Sequence, residues 1–236
     1  MSDNKNSGAA EQGSRLYLQE YVAKGKEELS DQIIAASSSL QSFIDSKEKV
    51  QWKSPLETSE KSDFYEYRDD FLEVLGLDKE LEVTKKLRQF WPKNGPQWDG
   101  LATVRNVEGK TGLLLIEAKA HIDETKSDLR ATSQESINLI EKSMADAQEY
   151  YGIKKAVWTK KFYQLGNRFA FLYFINEMLN IPAWLVLINF TGGDYKTTNK
   201  EQWLKHYYEI FSEMGIKLDN NKISYNLIQI FPEALK

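Results

Sequence analysis

The sequence QWDGLATVRNVEGKTGLLLIEAKAHI, residues 97–122, predicts a β-hairpin. Two segments rich in Leu, Ile, Val and Thr, 97–104 and 111–122, flank the short stretch 106–110, which contains Gly109. Apolar and β-branched segments on either side of a short Gly-containing loop are typical of paired antiparallel strands. We therefore expect the two segments to be neighbours in a sheet.

The second predicted strand carries its charges on one face. Alternate side chains of a strand share a face, so one face should present Glu117, Lys119, His121 and Asp123. Such a face is costly to bury unless its groups pair or bind an ion. The hairpin should also bring Asp99 beside Glu117. Two carboxylates and a strand carbonyl, that of Ala118, would provide the oxygen ligands that Mg²⁺ prefers.

Residues 97–99 and 115–119 resemble the bipartite motif of the PD-(D/E)XK, restriction-endonuclease-like nuclease superfamily, with Asp99 18 residues before Glu117. The order of hairpin, helix and further strand is also similar to the family core. In that family the two acids bind one or two Mg²⁺ ions, or Mn²⁺, and the lysine assists attack of water on a phosphodiester. The resemblance implies these roles for Asp99, Glu117 and Lys119. Trp98 stands where the family motif has a proline.

The tripeptide of an acid, any residue and a lysine is not specific by itself, because it occurs six times in the sequence. Glu117 differs from the other acids because an apolar strand precedes it and a strand bearing Asp99 pairs with it. The alternative is a solvated hairpin face, on which Lys119 forms a surface salt bridge worth at most about 1 kcal/mol. We favour the catalytic interpretation.

Composition limits the chemistry. The chain has no cysteine, which excludes disulfides, thiolate metal sites and a cysteine nucleophile, and its only histidines are His121 and His206. Any metal ion must therefore be held mainly by oxygen. The apolar runs fall far short of the roughly 20 residues of a membrane-spanning helix, and the polar N-terminus lacks the apolar core of a secretory signal. We expect a cytoplasmic protein without a membrane partner.

The order of predicted elements indicates one α/β unit, and the resemblance implies a restriction-endonuclease-like three-layer α/β/α core. That core should span residues 96–236 and form one compact domain with a helical N-terminal extension over 14–95, and a disordered tail should cover 1–13. After the hairpin, periodicity predicts two helices, a strand, a helix near Trp203 and a final strand. The predicted ranges are 133–151 and 160–179 for the two helices, 183–190 for the strand and 224–231 for the last strand.

Several further residues are candidates for substrate or metal contact. Members of the family often add an acid from a helix before the hairpin, for which the candidates are Glu73, Glu80 and Glu82.

The net charge is -4, yet residues 150–174 contain five basic residues and no acid. This stretch could neutralise phosphate through Lys154, Lys155, Lys160 and Lys161. Gln164, Asn167 and Arg168 could reach the phosphate backbone, or could serve helix capping and interhelical hydrogen bonds. His121 could touch phosphate, or be a hydrogen-bonded rim residue.

Taken together, the sequence predicts a Mg²⁺-dependent nuclease acting on DNA. A homodimer or two successive nicks would be needed to cut both strands. Two alternatives stay open. One is a module of the same fold that has lost catalysis and binds nucleic acid or protein, and the other is a Mg²⁺-dependent hydrolase of another phosphate ester. The complete set of Asp99, Glu117 and Lys119 favours the nuclease.

Overall fold

The computed structural model describes residues 9–58, 63–154, 156–194, 196–219 and 221–235. Its strands are β1 (Gln51–Ser54), β2 (Glu57–Thr58), β3 (Asp63–Phe64), β4 (Gly100–Arg105), β5 (Thr111–Lys119), β6 (Ala183–Asn189) and β7 (Leu227–Ile230). Five of them form one sheet in the order β1-β4-β5-β6-β7, and β2 pairs with β3 separately. The pairs β1–β4 and β4–β5 are antiparallel, whereas the pairs β5–β6 and β6–β7 are parallel. The sheet is therefore mixed.

Helices cover both faces of this sheet. They are α1 (Gly13–Lys24), α2 (Lys26–Ala35), α3 (Ser38–Phe43), α4 (Leu81–Phe90), α5 (Gln134–Tyr150), α6 (Tyr163–Tyr173), α7 (Lys200–Glu213) and α8 (Asn221–Ser224). A π-helical turn, Phe174–Met178, extends α6, and 3₁₀ turns occupy Asp69–Leu75 and Ile122–Thr125. Helices α1 to α3 share one hydrophobic core with the sheet, and α4 to α7 share the other. The protein is thus a three-layer α/β structure.

Alternation along β5 divides its side chains between the two cores. Leu113 and Leu115 pack with α4 to α7, while Leu114 and Ile116 pack with α1 to α3. A central strand covered on both faces is expected to be apolar throughout, which explains the unbroken run at 113–116. The same alternation directs Glu117 and Lys119 to the α4 to α7 side.

The predicted hairpin is confirmed, with shorter strands than expected. β4 and β5 pair antiparallel, and at their connection Gly109 has a φ of 78° while Asn106 accepts hydrogen bonds from two amides of the turn. The first strand begins at Gly100 rather than at residue 97, because the Trp98 amide donates to the Tyr67 carbonyl. The second ends at Lys119 rather than at residue 122, where the chain enters a 3₁₀ turn.

The prediction that everything before Pro96 is helical is wrong. Gln51–Ser54 forms β1, which pairs with β4 at the edge of the main sheet. Its Trp52 is buried against α2, where the indole Nε1 donates to Ser30 Oγ at 3.0 Å. Residues 14–95 therefore contribute a strand of the main sheet as well as the helices that cover one of its faces. Of the predicted tail, residues 1–8 lie outside the described residues, and Gly13 already begins α1.

The elements predicted after the hairpin are confirmed with small shifts of their ends. The helix predicted for 160–179 begins at Tyr163, and its last turn is π-helical. The two parallel crossovers, through α5 and α6 and then through α7, place the ends of β5, β6 and β7 along one edge of the sheet. Within the described residues, no helix has both the length and the apolar character required to cross a membrane.

Candidate active site

The candidate site lies at the end of β5, on the side of α4 to α7. Glu117 and Lys119 are buried there, at 3% and 7% exposed. Ligands of open α/β sheets usually bind outside the carboxyl ends of parallel strands, and β5 and β6 are parallel neighbours that end together. The position is therefore suited to a functional site.

Asp99 joins this pair from the adjacent strand. It directly precedes Gly100, whose partner in the register is Ile116, so Asp99 lies beside Glu117. Its Oδ2 accepts a hydrogen bond from the Ala118 amide at 2.9 Å. Burial and the Glu117 charge raise the pKa of Asp99 to about 7, although Lys119 and Arg168 act in the opposite direction. Two carboxyls that oppose each other's ionisation favour a shared proton or cation.

Glu117 is held between two basic side chains. Lys119 Nζ donates to its Oε1, and Arg168 Nε donates to its Oε2 at 2.6 Å. Burial raises the pKa of Glu117, but the charges of Arg168 and Lys119 outweigh it and bring that pKa below its usual value. Burial lowers the pKa of Lys119, and the two neighbouring carboxylates more than reverse this. Glu117 and Lys119 are therefore both charged at neutral pH.

Arg168 belongs to the centre of the site and not to its rim. It is 1% exposed, and its Nη2 donates to the Gln97 carbonyl at 2.5 Å. Its Nη1 donates to Asn167 Oδ1 at 2.9 Å, and the guanidinium lies 4.5 Å from the centre of the Trp98 ring. Arg168 and the buried Asn167 are both engaged inside the protein in this state, and contact of either side chain with phosphate stays a prediction. These hydrogen bonds join α6 to β5 and to the segment before β4, and none of them joins Arg168 to a second helix.

A cleft of about 280 Å³ opens beside Arg168. Its walls come from residues 94–97, from residues 127–130 and from the first turn of α6, where Gln164 is partly exposed. The exposed Arg130 lies at this cleft as well. A larger cavity, of about 450 Å³, lies near Gly215 at the end of α7 and is lined by none of the candidate residues. The smaller cleft is therefore the one relevant to the site.

The structure describes three of the four lysines that were predicted to neutralise phosphate. Lys154, Lys160 and Lys161 are exposed, and Lys155 lies outside the described residues. The Lys161 amide donates to Asp128 Oδ1 at 2.8 Å, and Asp128 lines the cleft. The Lys161 ammonium forms an ion pair with Glu213. Lys161 therefore lies beside the cleft, with its charge shared by an acid of α7.

The two histidines lie at the 3₁₀ turn that follows β5. His121 follows β5 and is nearly buried, with its Nε2 3.5 Å from Glu124 Oε1. Asp123, expected on the same strand face, is instead exposed in the 3₁₀ turn and pairs with Lys196. His206 of α7 is half-buried, and its Nε2 lies 2.8 Å from Thr125 Oγ1. Burial lowers the pKa of His206.

The predicted upstream acids do not join the site. Glu73, Glu80 and Glu82 are all exposed. The acid held against residues 97–98 is instead Glu66, which is 5% exposed, accepts a hydrogen bond from Gln97 Nε2 and pairs with Arg15. Sequence reasoning missed Glu66 because it lies in an acid-rich stretch without helical periodicity. The backbone hydrogen bond from Trp98 to Tyr67 fixes that stretch beside the hairpin.

The donor set fits a hard divalent cation such as Mg²⁺ or Mn²⁺. Asp99, Glu117 and the Ala118 carbonyl present oxygen, and water completes the coordination of such ions. In the part of the chain that the structure describes, no group of three His, Cys, Asp or Glu side chains could hold a metal ion, so a cation here would need ligands beyond Asp99 and Glu117, such as the Ala118 carbonyl and water. A cation here would replace at least one of the contacts that Lys119 and Arg168 make with Glu117.

Comparisons with known proteins found no match, whether among family models, curated proteins or solved structures.

Proposed function

We propose that this chain is a Mg²⁺-dependent nuclease of the PD-(D/E)XK type, which hydrolyses phosphodiester bonds of DNA. The main support is the arrangement of Asp99, Glu117 and Lys119 at one end of the sheet, with the pKa of Asp99 raised to about 7. Buried groups with strongly shifted pKa values and specific charge partners are concentrated at functional sites. A solvated salt bridge, the alternative interpretation, would not leave Glu117 and Lys119 buried.

Each site residue has a role in this proposal. Asp99, Glu117 and the Ala118 carbonyl would hold Mg²⁺ or Mn²⁺, which supplies Lewis-acid stabilisation and lowers the pKa of a coordinated water. Lys119 orients the attacking water and offsets negative charge that develops on the phosphate. Arg168 provides a second fixed positive charge beside the same carboxylate. Its planar guanidinium is suited to bind a phosphate oxygen pair once Glu117 turns away.

The cleft beside Arg168 provides a path for the substrate. Arg130, Gln164 and Tyr163 line it, so a basic, an amide and an aromatic group are available there. Lys160 and Lys161 precede α6, the Lys161 amide donates to Asp128 of the cleft, and both lysines add positive charge in a protein with a net charge of -4. Local positive potential is what a polyanion needs to approach a carboxylate site.

The topology supports the finer assignment of the fold. An antiparallel hairpin bearing the candidate acids is followed by helices and then by a strand parallel to the second strand of the hairpin. This order is similar to the core of the restriction-endonuclease-like family, and we propose that fold for the chain. We also propose that two copies act together when both strands of a duplex are cut.

A cleavage assay tests the function. Supercoiled plasmid, linear duplex and single-stranded DNA are incubated with the protein in Mg²⁺, Mn²⁺ or EDTA, beside Lys119→Ala and the control Lys110→Ala, an exposed lysine of the hairpin turn. We expect metal-dependent cleavage, a loss of about 10²-fold or more in Lys119→Ala, and no loss in the control. Wild-type cleavage by Lys119→Ala would refute the mechanism. Cleavage of small phosphate diesters but not of DNA would identify another substrate class.

One observation favours a second candidate, a nucleic-acid-binding module without catalysis. Both carboxylate oxygens of Glu117 are already bound, one by Lys119 and one by Arg168, so the site is neutralised from within. DNA binding that is indifferent to EDTA, together with no cleavage in any metal, would support this module. Metal-dependent cleavage would exclude it.

A further inference from the structure

Asn189 ends β6 directly beside Lys119. The two residues are partners in the parallel register, and the Phe190 amide donates to the Lys119 carbonyl at 2.8 Å. Asn189 is fully buried. Leu185 and Leu187 of the same strand pack into the core of α4 to α7, so alternation directs Asn189 to the side on which Glu117 and Lys119 lie.

The Asn189 carboxamide has an unused acceptor. Its Oδ1 has no hydrogen-bond partner within the described residues, and its Nδ2 donates to the Leu187 carbonyl at 3.4 Å. Reversing the amide would bring two oxygen acceptors together, so the opposite orientation offers no remedy. Buried polar groups are nearly always paired in folded proteins, and an exception calls for an explanation.

Lys119 provides the donor that could use this acceptor. An ammonium has three N–H groups, of which Lys119 directs one to Glu117 Oε1 and one to the Ala118 carbonyl at 3.3 Å. Any event that turns Glu117 toward another partner leaves a buried ammonium without its main acceptor. Asn189 Oδ1 is a neutral acceptor on the neighbouring strand, in register with Lys119 and on the same face.

We propose that Asn189 is a positioning residue, whose Oδ1 accepts a hydrogen bond from Lys119 Nζ when Glu117 releases that ammonium. The proposal rests on the proposed function in one respect only, namely that a bound cation is the natural event that releases Lys119. Asn189 would then keep the ammonium near the reacting phosphate instead of letting it follow Glu117. Because the carboxamide is neutral, it leaves the charge of Lys119 available to the substrate. A third carboxylate in its place would neutralise that charge.

A stability cycle without metal or DNA tests this role. In EDTA, Glu117→Gln removes the carboxylate to which Lys119 Nζ donates, and Asn189→Leu removes the spare acceptor. Asn189→Leu should leave the Tm of the wild-type protein unchanged or higher, but lower that of Glu117→Gln by at least about 2 °C. Gln229→Leu is the matched control, since its Nε2 is also buried without a partner in the described chain. It should change Tm equally in both backgrounds.

A rescue variant protects the test against simple misfolding. Asn189→Asp in the Glu117→Gln background moves the carboxylate to the neighbouring strand, where it should pair with Lys119 and raise Tm by at least about 2 °C. Equal effects of Asn189→Leu in both backgrounds, or no rescue by the aspartate, would overturn the proposal. Failure of the nuclease function would appear only in the cleavage assay, so the two results are separable.

Discussion

Replacing Asp99 with asparagine should stabilise the metal-free protein at pH 8 and abolish the proposed metal-dependent cleavage. Burial and the nearby Glu117 charge raise the pKa of Asp99 to about 7, whereas an unfolded aspartate titrates near 3.9. The folded protein therefore binds this proton more tightly than the unfolded chain. Between about pH 4 and pH 7 the folded state holds more protons, so the contribution of Asp99 to stability falls as the pH rises through this range.

The size of the effect follows from the same shift. The pKa of Asp99 rises from 3.8 to about 7. At 1.36 kcal/mol per pH unit, ionised Asp99 therefore destabilises the folded protein by at most about 4 kcal/mol. Asp99 is partly exposed, and solvent screening reduces the penalty, so we expect a gain of about 1–3 kcal/mol at pH 8. Asparagine retains an oxygen that can accept the hydrogen bond from the Ala118 amide. Near pH 4 the difference should vanish.

Urea denaturation in EDTA at pH 5 and pH 8 measures this gain. Asp123→Asn is the control, because Lys196 lowers the pKa of that exposed carboxyl and its removal should give no gain at either pH. Added Mg²⁺ should stabilise the wild-type protein and not Asp99→Asn, since only the former retains both carboxylate ligands. A variant no more stable than wild type at pH 8, or a gain that is the same at both pH values, would refute the reasoning.

Three further outcomes are expected. Arg168→Met should destabilise the protein by about 3–5 kcal/mol in urea, because it leaves the Glu117 charge buried with one partner fewer, and Arg168→Lys should recover only part of this. Trp52→Ala should cost about 3–5 kcal/mol in the same assay, since the indole fills the core under β1. Joint replacement by glutamine of the four lysines between residues 154 and 161 should weaken the proposed DNA binding and reduce the slope of log affinity against log salt by about 0.9 for each lost contact, whereas an unchanged slope would show that these lysines do not contact DNA. These lysines are Lys154, Lys155, Lys160 and Lys161.

The hairpin and the shared face of its charged side chains were predictable because both depend on local properties of the chain. Alternation along a strand is fixed by its covalent geometry, so Glu117 and Lys119 had to share a face once β5 was recognised. The turn at Gly109 set the antiparallel register that brings Asp99 beside them. Local pattern therefore sufficed for three residues of the site.

The strand β1 could not be predicted in the same way. Gln51–Ser54 is four residues long, too short for its alternation to be distinguished from the surrounding helical pattern. Its pairing partner β4 lies about 50 residues further along the chain, so its hydrogen bonds leave no trace in the local sequence. Glu66 was missed for a related reason, because backbone pairing between distant segments, and not periodicity, places it beside Gln97.

Arg168 changes the chemistry expected of the site. It lies 51 residues after Glu117 and reaches it only because α6 crosses the face on which β5 ends. With Asp99 and Glu117 opposed by Lys119 and Arg168, the four side chains are close to neutral without any metal ion. A cation at Glu117 therefore competes with groups already in place, which limits its affinity. A phosphate beside Arg168 would offer that guanidinium a new partner and release one oxygen of Glu117. On the proposed function, cation and substrate should thus each favour the binding of the other.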